Sequence, residues 1–215
     1  MDQSFYDEDY YIRGLETNKS TFQNYRWLPE YTIPAVMTMI DYLGIKCTQT
    51  VLDYGCASGN YVRAFRMLNR KAWGVDISKY AISQVDNSIA DYCFLLNGEI
   101  HSVVESLGCL PTQYDFVILK DILEHISPDN ICKILDSINS KTFFVIVPLG
   151  ENGKYIAPSN GMDKSHIICE DEKWWSNLFL KNNLIIKEFN YMIKGIKDSY
   201  YTKYPKAHGF WVLAK

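Results

Sequence analysis

The sequence predicts an α/β fold, a doubly wound and mostly parallel sheet whose last two strands form an antiparallel hairpin. Three observations predict it. Short apolar runs alternate with segments of helical period along most of the chain, the pattern of strand–helix–strand units. Two runs, Asp115-Phe116-Val117-Ile118-Leu119 and Thr142-Phe143-Phe144-Val145-Ile146-Val147, are unbroken, as in strands buried on both faces. The final two, Leu184–Tyr191 and Gly209–Ala214, are separated only by the polar connector Lys194–Lys206, so they are expected to pair antiparallel at one edge.

The elements follow in order. Residues 1–30 are rich in tyrosine and acid without a period. A disordered tail and a folded lead segment compete for this stretch. Tyr6, Tyr10, Tyr11, Phe22, Tyr25 and Trp27 are too many aromatics for ordinary disorder, so an ordered lid or cap is expected. Pro34–Leu43 reads as a helix with Pro in its first turn, Thr32 as N-cap and Gly44 at its end. Thr50–Tyr54 is a short strand running into a Gly-containing turn, and Asn60–Asn69 places Val62, Phe65 and Leu68 at helical spacing. Lys71–Asp76 is a second strand, and Ser78 caps a helix reaching about Ser88. Tyr92–Leu96 is a weaker third strand, followed by a helix over Glu99–Leu107 closed by Gly108. After the 115–119 strand, Ser127-Pro128 opens a helix with Ile131, Ile134, Leu135 and Ile138 as its buried stripe. The 142–147 strand leads into a loop over 149–170, a length often functional in a compact domain. A helix over Asp171–Leu180 then carries Trp174-Trp175.

Composition bounds the reading. Against 22 Lys plus Arg stand 25 Asp plus Glu, a net charge of -3, which argues against a dedicated duplex nucleic-acid binder. With 215 residues and 47% hydrophobic content the chain can build a full core as one domain, and no repeat or linker divides it. The cysteines Cys47, Cys56, Cys93, Cys109, Cys132 and Cys169 form no CxxC pair and have no His at ligand spacing, so they read as reduced, buried thiols. The N-terminus shows no signal peptide, and Phe143–Leu149 is far shorter than the roughly 20 residues of a membrane span. A soluble, cytoplasmic monomer or homodimer without membrane partners is expected.

The most informative stretch is Val51-Leu52-Asp53-Tyr54-Gly55-Cys56-Ala57-Ser58-Gly59-Asn60. It leaves a strand and opens a helix; Gly55 and Gly59 let the backbone turn sharply and approach a ligand, and the helix points free N–H groups into the same place. Asp76 ends the next strand, 21 residues after Gly55, where a carboxylate can accept both hydroxyls of a ribose. A Gly-rich turn alone is only a tight strand–helix turn. Strand, acid, spaced small residues, helix, second strand and second acid together point to a cofactor containing a nucleoside. The segment does not match G-x-G-x-x-G, which disfavours a nicotinamide oxidoreductase.

Instead, Asp53-x-Gly55-x-Ala57-x-Gly59 resembles the first motif of the class I S-adenosylmethionine-dependent methyltransferases, with Ala57 in place of the middle Gly. The resemblance continues through Gly74-Val75-Asp76-Ile77-Ser78 and through Asp115–Ile126, with Glu124-His125 near its end. It covers residues 50–150 well and the rest loosely. It implies a Rossmann-like, seven-stranded sheet with an antiparallel last hairpin, and S-adenosylmethionine as cofactor with S-adenosylhomocysteine as product. It implies that Gly55, Ala57 and Gly59 line the methionine part, with Cys56 among the cofactor-binding residues, that Asp53 holds the ammonium through the loop, that Asp76 takes the ribose hydroxyls and that Ile77 packs on adenine. Asn97-Gly98 would lie near the adenine edge. On this reading residues 1–45 form the lid and first helix, 50–150 the cofactor-binding core and 150–215 the acceptor side.

Transfer from a sulfonium to an alcohol needs alignment and a base. Two histidines fit. His125 follows the fourth strand on the ligand edge; the structural alternative is that Glu-His here orients loops or touches cofactor. His166 lies in Asp163-Lys164-Ser165-His166, where Asp163 is placed to orient the imidazole; its alternative is capping the helix at Asp171. Both histidines could hold a divalent ion with Asp121 or Glu124, although the spacing is not specific and no metal is indicated. His101 and His208 read as surface or edge residues. Arg26 reaches the cofactor carboxylate if the N-terminus is a lid, and otherwise is solvated; Lys120 either lines the pocket or is solvated. Tyr6, Tyr10, Tyr25, Trp27, Trp174 and Trp175 suggest stacking on a sugar, against a plain core role for Trp174 or Trp175. The stretch from Asp163 to Trp174-Trp175 loosely resembles a segment of small-molecule and sugar O-methyltransferases. O-methylation of a sugar or small metabolite is therefore expected, with His166 or His125 as base, Asp163 as orienter and Asp121 beside them. N- or C-methylation and a binding module without catalysis are the alternatives. A DNA amino-methylating enzyme is disfavoured, since Lys120-Asp121-Ile122-Leu123 stands where N/D-P-P-Y/F is expected.

Overall fold

The computed structural model describes residues 3–97 and 110–215. Its centre is a seven-stranded sheet of β1 (Thr50–Tyr54), β2 (Lys71–Asp76), β3 (Cys93–Leu95), β4 (Tyr114–Lys120), β5 (Ser140–Pro148), β6 (Ile185–Asn190) and β7 (His208–Ala214). The spatial order is β3-β2-β1-β4-β5-β7-β6. The first five strands are parallel to one another, whereas β7 runs antiparallel to both β5 and β6. Chain order therefore reverses between β1 and β4, and the crevice beyond the carboxyl ends of those strands is where such sheets bind ligands.

Strand periodicity divides the core between the two faces. Leu52, Val117, Leu119, Phe143 and Val145 pack on one face with Ile131 and Leu135 of the helix Pro128–Ser137 and with Trp175 and Phe179 of the helix Glu172–Lys181. Val51, Phe116, Ile118, Phe144 and Ile146 pack on the other with Val36 and Met39 of Pro29–Leu43 and Val62 and Phe65 of Asn60–Met67. Alternation disappears from the sequence because both faces are covered.

Several boundaries differ from expectation. The first long helix begins at Pro29, so Pro34 lies inside it and Thr32 is a buried helical residue instead of the N-cap. Pro29 already fills the first helical position that was assigned to Pro34. The helix capped by Ser78 stops at Ser83, and Asp86 starts a separate 3-10 turn over Asn87–Tyr92 by accepting the Ser88 N–H. The polar connector before β7 contains one helical turn, Asp198–Tyr201. The helix expected over 99–107, with Gly98, His101 and Cys109, lies outside the described residues. Cys56 and Cys93 are buried, but Cys47 is exposed. Among the described residues no helix is long and apolar enough to cross a membrane.

The N-terminal segment is folded. Asp7 caps the helix Glu8–Ile12 by accepting the Tyr10 N–H, and Tyr10, Tyr11, Phe22 and Tyr25 interlock in a ring cluster against Ala81. It covers the carboxyl edge of the sheet.

At the opposite edge Asp115 ties three strands together. Its Oδ2 accepts from the Thr50 N–H (3.0 Å) and hydroxyl (3.2 Å), and its Oδ1 from Lys141 Nζ (2.8 Å). Lys141 first, and the Thr50 amide next, hold this carboxyl below the usual range. Asp115→Ala is expected to lower unfolding free energy by about 1–3 kcal/mol at neutral pH. Because the folded pKa is depressed, this contribution is present above about pH 4 and is lost as pH falls through the folded value. Denaturant midpoints of wild type and variant should therefore converge on acidification; midpoints that stay parallel would contradict the assignment.

Candidate active site

The turn after β1 explains the alternation of small residues. Gly55, Ala57 and Gly59 have φ values of 83°, 49° and 76°, so all three occupy the left-handed region. Ala57 bears a modest strain there that glycine would avoid. The turn is pinned by Gly55 N–H and Cys56 N–H to the Val75 carbonyl (2.8 and 3.1 Å) and by Ala57 N–H to Asp76 Oδ2 (2.7 Å). The other Asp76 oxygen accepts the Ser78 N–H at 2.7 Å. Burial pushes the Asp76 carboxyl up, with the Ser78 and Ala57 amides opposing. Asp53, buried at the end of β1, is pushed up to about 7 by burial, with Lys120 opposing and Asp76 adding to the rise.

These groups open on one cleft of about 1000 Å³. Of the residues singled out in the sequence, Arg26, Asp53, Gly55, Cys56, Ala57, Asp76, Ile77, Lys120, Asp121 and His125 line it. Gly59 lies beneath the turn, where a Cβ would meet Cys93 Sγ at 2.7 Å. Asn97 is exposed and outside the lining, while its neighbour Leu96 faces the cleft. Asp163 and His166 lie behind His125. Tyr6, Tyr10 and Tyr25 form part of the roof, whereas Trp175 is core and Trp174 packs against it. Arg26 is exposed at the rim, with its guanidinium donating to the Asn24 carbonyl.

A sharp corner follows β4 at Asp121, a non-glycine residue at φ 54°. Its carboxylate accepts from Lys120 Nζ (2.6 Å) and Lys197 Nζ (2.8 Å). Burial works against ionisation of Asp121, but the two lysines outweigh it and hold the carboxyl well below the usual range. Lys197 also approaches His208 Nε2 at 3.2 Å, and His208 is buried instead of lying at the surface. Burial, with Lys197, pushes its imidazole down to about 2.

The Asp163 side chain is engaged differently from its expected partnership with His166. Its Oδ1 accepts the Ser165 N–H (2.9 Å) and hydroxyl (2.5 Å), and its Oδ2 accepts the Tyr10 hydroxyl (2.8 Å). Ser165 Oγ in turn meets His125 Nδ1 at 2.7 Å. Asp163 thus orients His125 through Ser165. The serine has one proton and gives it to the carboxylate, so Oγ accepts from Nδ1–H and the basic lone pair of His125 is on Nε2. Burial first, and His166 next, push the His125 imidazole down to about 4, so it is neutral at pH 7. His166 Nε2 faces Glu124 Oε1 at 3.8 Å, beyond hydrogen-bond reach. It does not cap the next helix either, because Asp171 does so with its own carboxylate. Ser165 and Lys197 are connecting residues that sequence reasoning missed, and Tyr10, singled out there for stacking, connects through its hydroxyl instead. The Asp163-x-Ser165 spacing was the one available signal, since it favours a local side-chain turn.

A methyltransferase-domain family model matches residues 23–147, more than half of the chain, and the chain belongs to that family. The cofactor of this class is S-adenosylmethionine. Among solved structures, the mitomycin 7-O-methyltransferase superposes with a TM-score of 0.60 at 15% identity over 86% of this chain and 54% of that enzyme. The chain thus spans about half of that enzyme's length. An S-adenosylmethionine-dependent methyltransferase from Archaeoglobus fulgidus gives 0.58 at 14% identity, over 87% of this chain and 97% of that one. One from Aquifex aeolicus gives 0.56 at 14% identity, over 100% and 98%. No curated protein sequence matches the chain. The residues present fit the cofactor, with two buried carboxylates at the ends of adjacent strands, apolar Ile77 and Leu96 in the same cleft, and a turn whose glycines leave room for it.

Glycine at 55 is required for two separable reasons. A Cβ there would sit 2.7 Å from Ile122 Cδ1, in addition to the strain of φ 83°. Gly44, also left-handed at φ 67°, has nothing within 4 Å of a built Cβ. Gly44→Ala is therefore expected to lose about 1 kcal/mol of stability, and Gly55→Ala more, because Ile122 must also shift. Gly55→Ala alone should also weaken S-adenosylhomocysteine binding, read by calorimetry, and equal affinities would contradict the turn's role.

Proposed function

We propose that the protein transfers a methyl group from S-adenosylmethionine to a hydroxyl of a small ring-shaped acceptor, a sugar or a metabolite of similar size, with His125 as the base. One observation carries the reading. His125 lines the same cleft as Asp53 and Asp76, and its ring is fixed from behind by the Ser165–Asp163 pair. The bound cofactor supplies an electrophilic methyl group on a sulfonium, so the protein's work is to align an oxygen and remove its proton.

Asp76 binds the ribose hydroxyls with the lone pairs that its amide contacts leave free. Asp53 holds the ammonium through the turn, and Ile77 with Leu96 packs on the adenine. Arg26 at the rim would pair with the cofactor carboxylate. Lys120 and Asp121 neutralise each other and keep the corner beside the acceptor fixed. Tyr6, Tyr10 and Tyr25 offer ring faces and edges to a cyclic acceptor, whose C–H face or aromatic ring they exclude from water. His125 is neutral and holds its lone pair on Nε2, where it takes the hydroxyl proton. The Asp163 carboxylate, reaching it through Ser165, stabilises the imidazolium that forms. The likeness to the mitomycin 7-O-methyltransferase is in keeping with an oxygen acceptor on a small molecule.

Calorimetry with S-adenosylmethionine and S-adenosylhomocysteine on wild type and Asp76→Ala is the first test, followed by transfer to a panel of sugars and phenols. Asp76→Ala is expected to bind at least about tenfold more weakly, the loss of one charged hydrogen-bonding group. His125→Ala should bind cofactor normally and lose about 100–10,000-fold in transfer rate. Ser165→Ala should retain binding and lose less, with kcat falling more than KM rises. Undiminished transfer by His125→Ala would overturn the base assignment, and failure of wild type to bind either compound would overturn the whole reading.

A further inference from the structure

Glu124 has no part in that chemistry, yet it is held in an unfavourable place. Its side chain is 1% exposed, and neither carboxylate oxygen has a hydrogen-bond partner among the described residues. Burial pushes this carboxyl well above its usual range, so it keeps its proton unless a cation meets it. Among the described residues no ammonium or guanidinium pairs with it, because Lys120 and Lys197 are both spent on Asp121. It is met instead by two imidazoles. His166 turns Nε2 toward it at 3.8 Å and leaves Nδ1 buried without a partner among the described residues. The His125 and His166 rings lie 4.6 Å apart, edge to face. One ligand atom from each of Glu124, His125 and His166 lies within 4.8 Å of the others.

We propose that a divalent transition-metal ion of the zinc or cobalt(II) kind binds between Glu124, His125 and His166. Two imidazoles and one carboxylate suit such an ion, and three protein ligands leave a position open. Calcium and magnesium prefer all-oxygen sites and fit less well. Ligand atoms no more than 4.8 Å apart need to move inward by less than about 1 Å each to make bonds of about 2.0–2.2 Å. The outer shell is already built, since His125 passes its Nδ1–H to Ser165 and so to Asp163, as metal-bound histidines usually do with their second nitrogen. His125 and Ile167 line the cleft, which gives the ion a way in. Asp121, the other carboxylate near this corner, is neutralised by its two lysines and is not a ligand. The inference goes beyond methyl transfer, because binding of the ion uses none of the cofactor contacts. Its consequence is competition, since the Nε2 lone pair of His125 holds either the ion or the acceptor's proton.

The test is titration of chelator-treated full-length protein with cobalt(II) and then zinc, followed by visible absorption and calorimetry. One ion per chain is expected, with cobalt bands typical of nitrogen and oxygen ligands and displacement of cobalt by zinc. Glu124→Gln and His166→Ala should each weaken binding at least about tenfold, while S-adenosylhomocysteine affinity is retained in both. Absence of stoichiometric binding, a thiolate charge-transfer band placing the ion on cysteine, or affinity unchanged in both variants would overturn the site. The wild-type spectrum decides even if a variant fails to fold. S-adenosylhomocysteine titration of the same samples keeps the two readings apart, because loss of one kind of binding leaves the other standing.

Discussion

The Asp76 carboxylate is the constraint on which the upper half of the molecule depends. One oxygen fixes the turn after β1 through Ala57, and the other fixes the start of the next helix through Ser78. Ser78 then accepts the Ala81 N–H to cap that helix and donates its hydroxyl to the Tyr6 carbonyl, so the roof hangs from the same point. Gln3 adds a contact from its side-chain amide to the Ile77 carbonyl. A single buried anion thus sets the cofactor turn, a helix and the cover in register. Its burial is tolerable because each of its two oxygens accepts a backbone N–H.

The acceptor side is built on a different principle. The chain leaves β4 through a strained corner at Asp121, and the 163–168 segment is fastened beside it by Ile167 N–H and Ile168 N–H to the Glu124 carbonyl (2.9 and 3.2 Å). That pairing brings Ser165 under His125 although 40 residues separate them. Charges here are sorted into two groups. Asp121 is saturated by lysines, whereas Glu124 is left among histidines. Two carboxylates three residues apart are thereby given opposite surroundings, which is the usual way a fold obtains two chemistries from one residue type.

The sheet was legible because strands buried on both faces read as unbroken apolar runs, as in Phe143–Val147, and because the chain had no helix to place between β6 and β7 beyond one short turn. The cofactor turn was legible because left-handed backbone restricts residue type, so Gly55, Ala57 and Gly59 announce themselves by being small. Helix starts were less so. Pro29 and Pro34 both satisfy the rule for a first-turn proline, and sequence alone does not rank them. The Asp163–Ser165–His125 chain was not legible, since its members come from two segments whose docking is decided by backbone hydrogen bonds that any residues can make. Proximity in sequence had paired Asp163 with His166 instead. His208 escaped for a related reason: its burial is set by Lys197 and Tyr200 packing over the start of β7, and nothing in its own neighbourhood signals that.

The roof has a history distinct from the walls. Its anchoring contacts run from Tyr6 to Ser78 and from Tyr10 to Asp163, across 72 and 153 residues of chain. Contacts of such long range form only after the intervening segments have folded, because the entropy of closing the loop must be met first. The roof residues are therefore expected among the last to settle and, on partial opening, among the first to lift. A chain in that state keeps its sheet and its cofactor turn, yet Tyr10 has left Asp163 and the cleft lies uncovered. Completion of the pocket is in this sense a report that the helix start at Ser78 and the 163–168 segment are already in place.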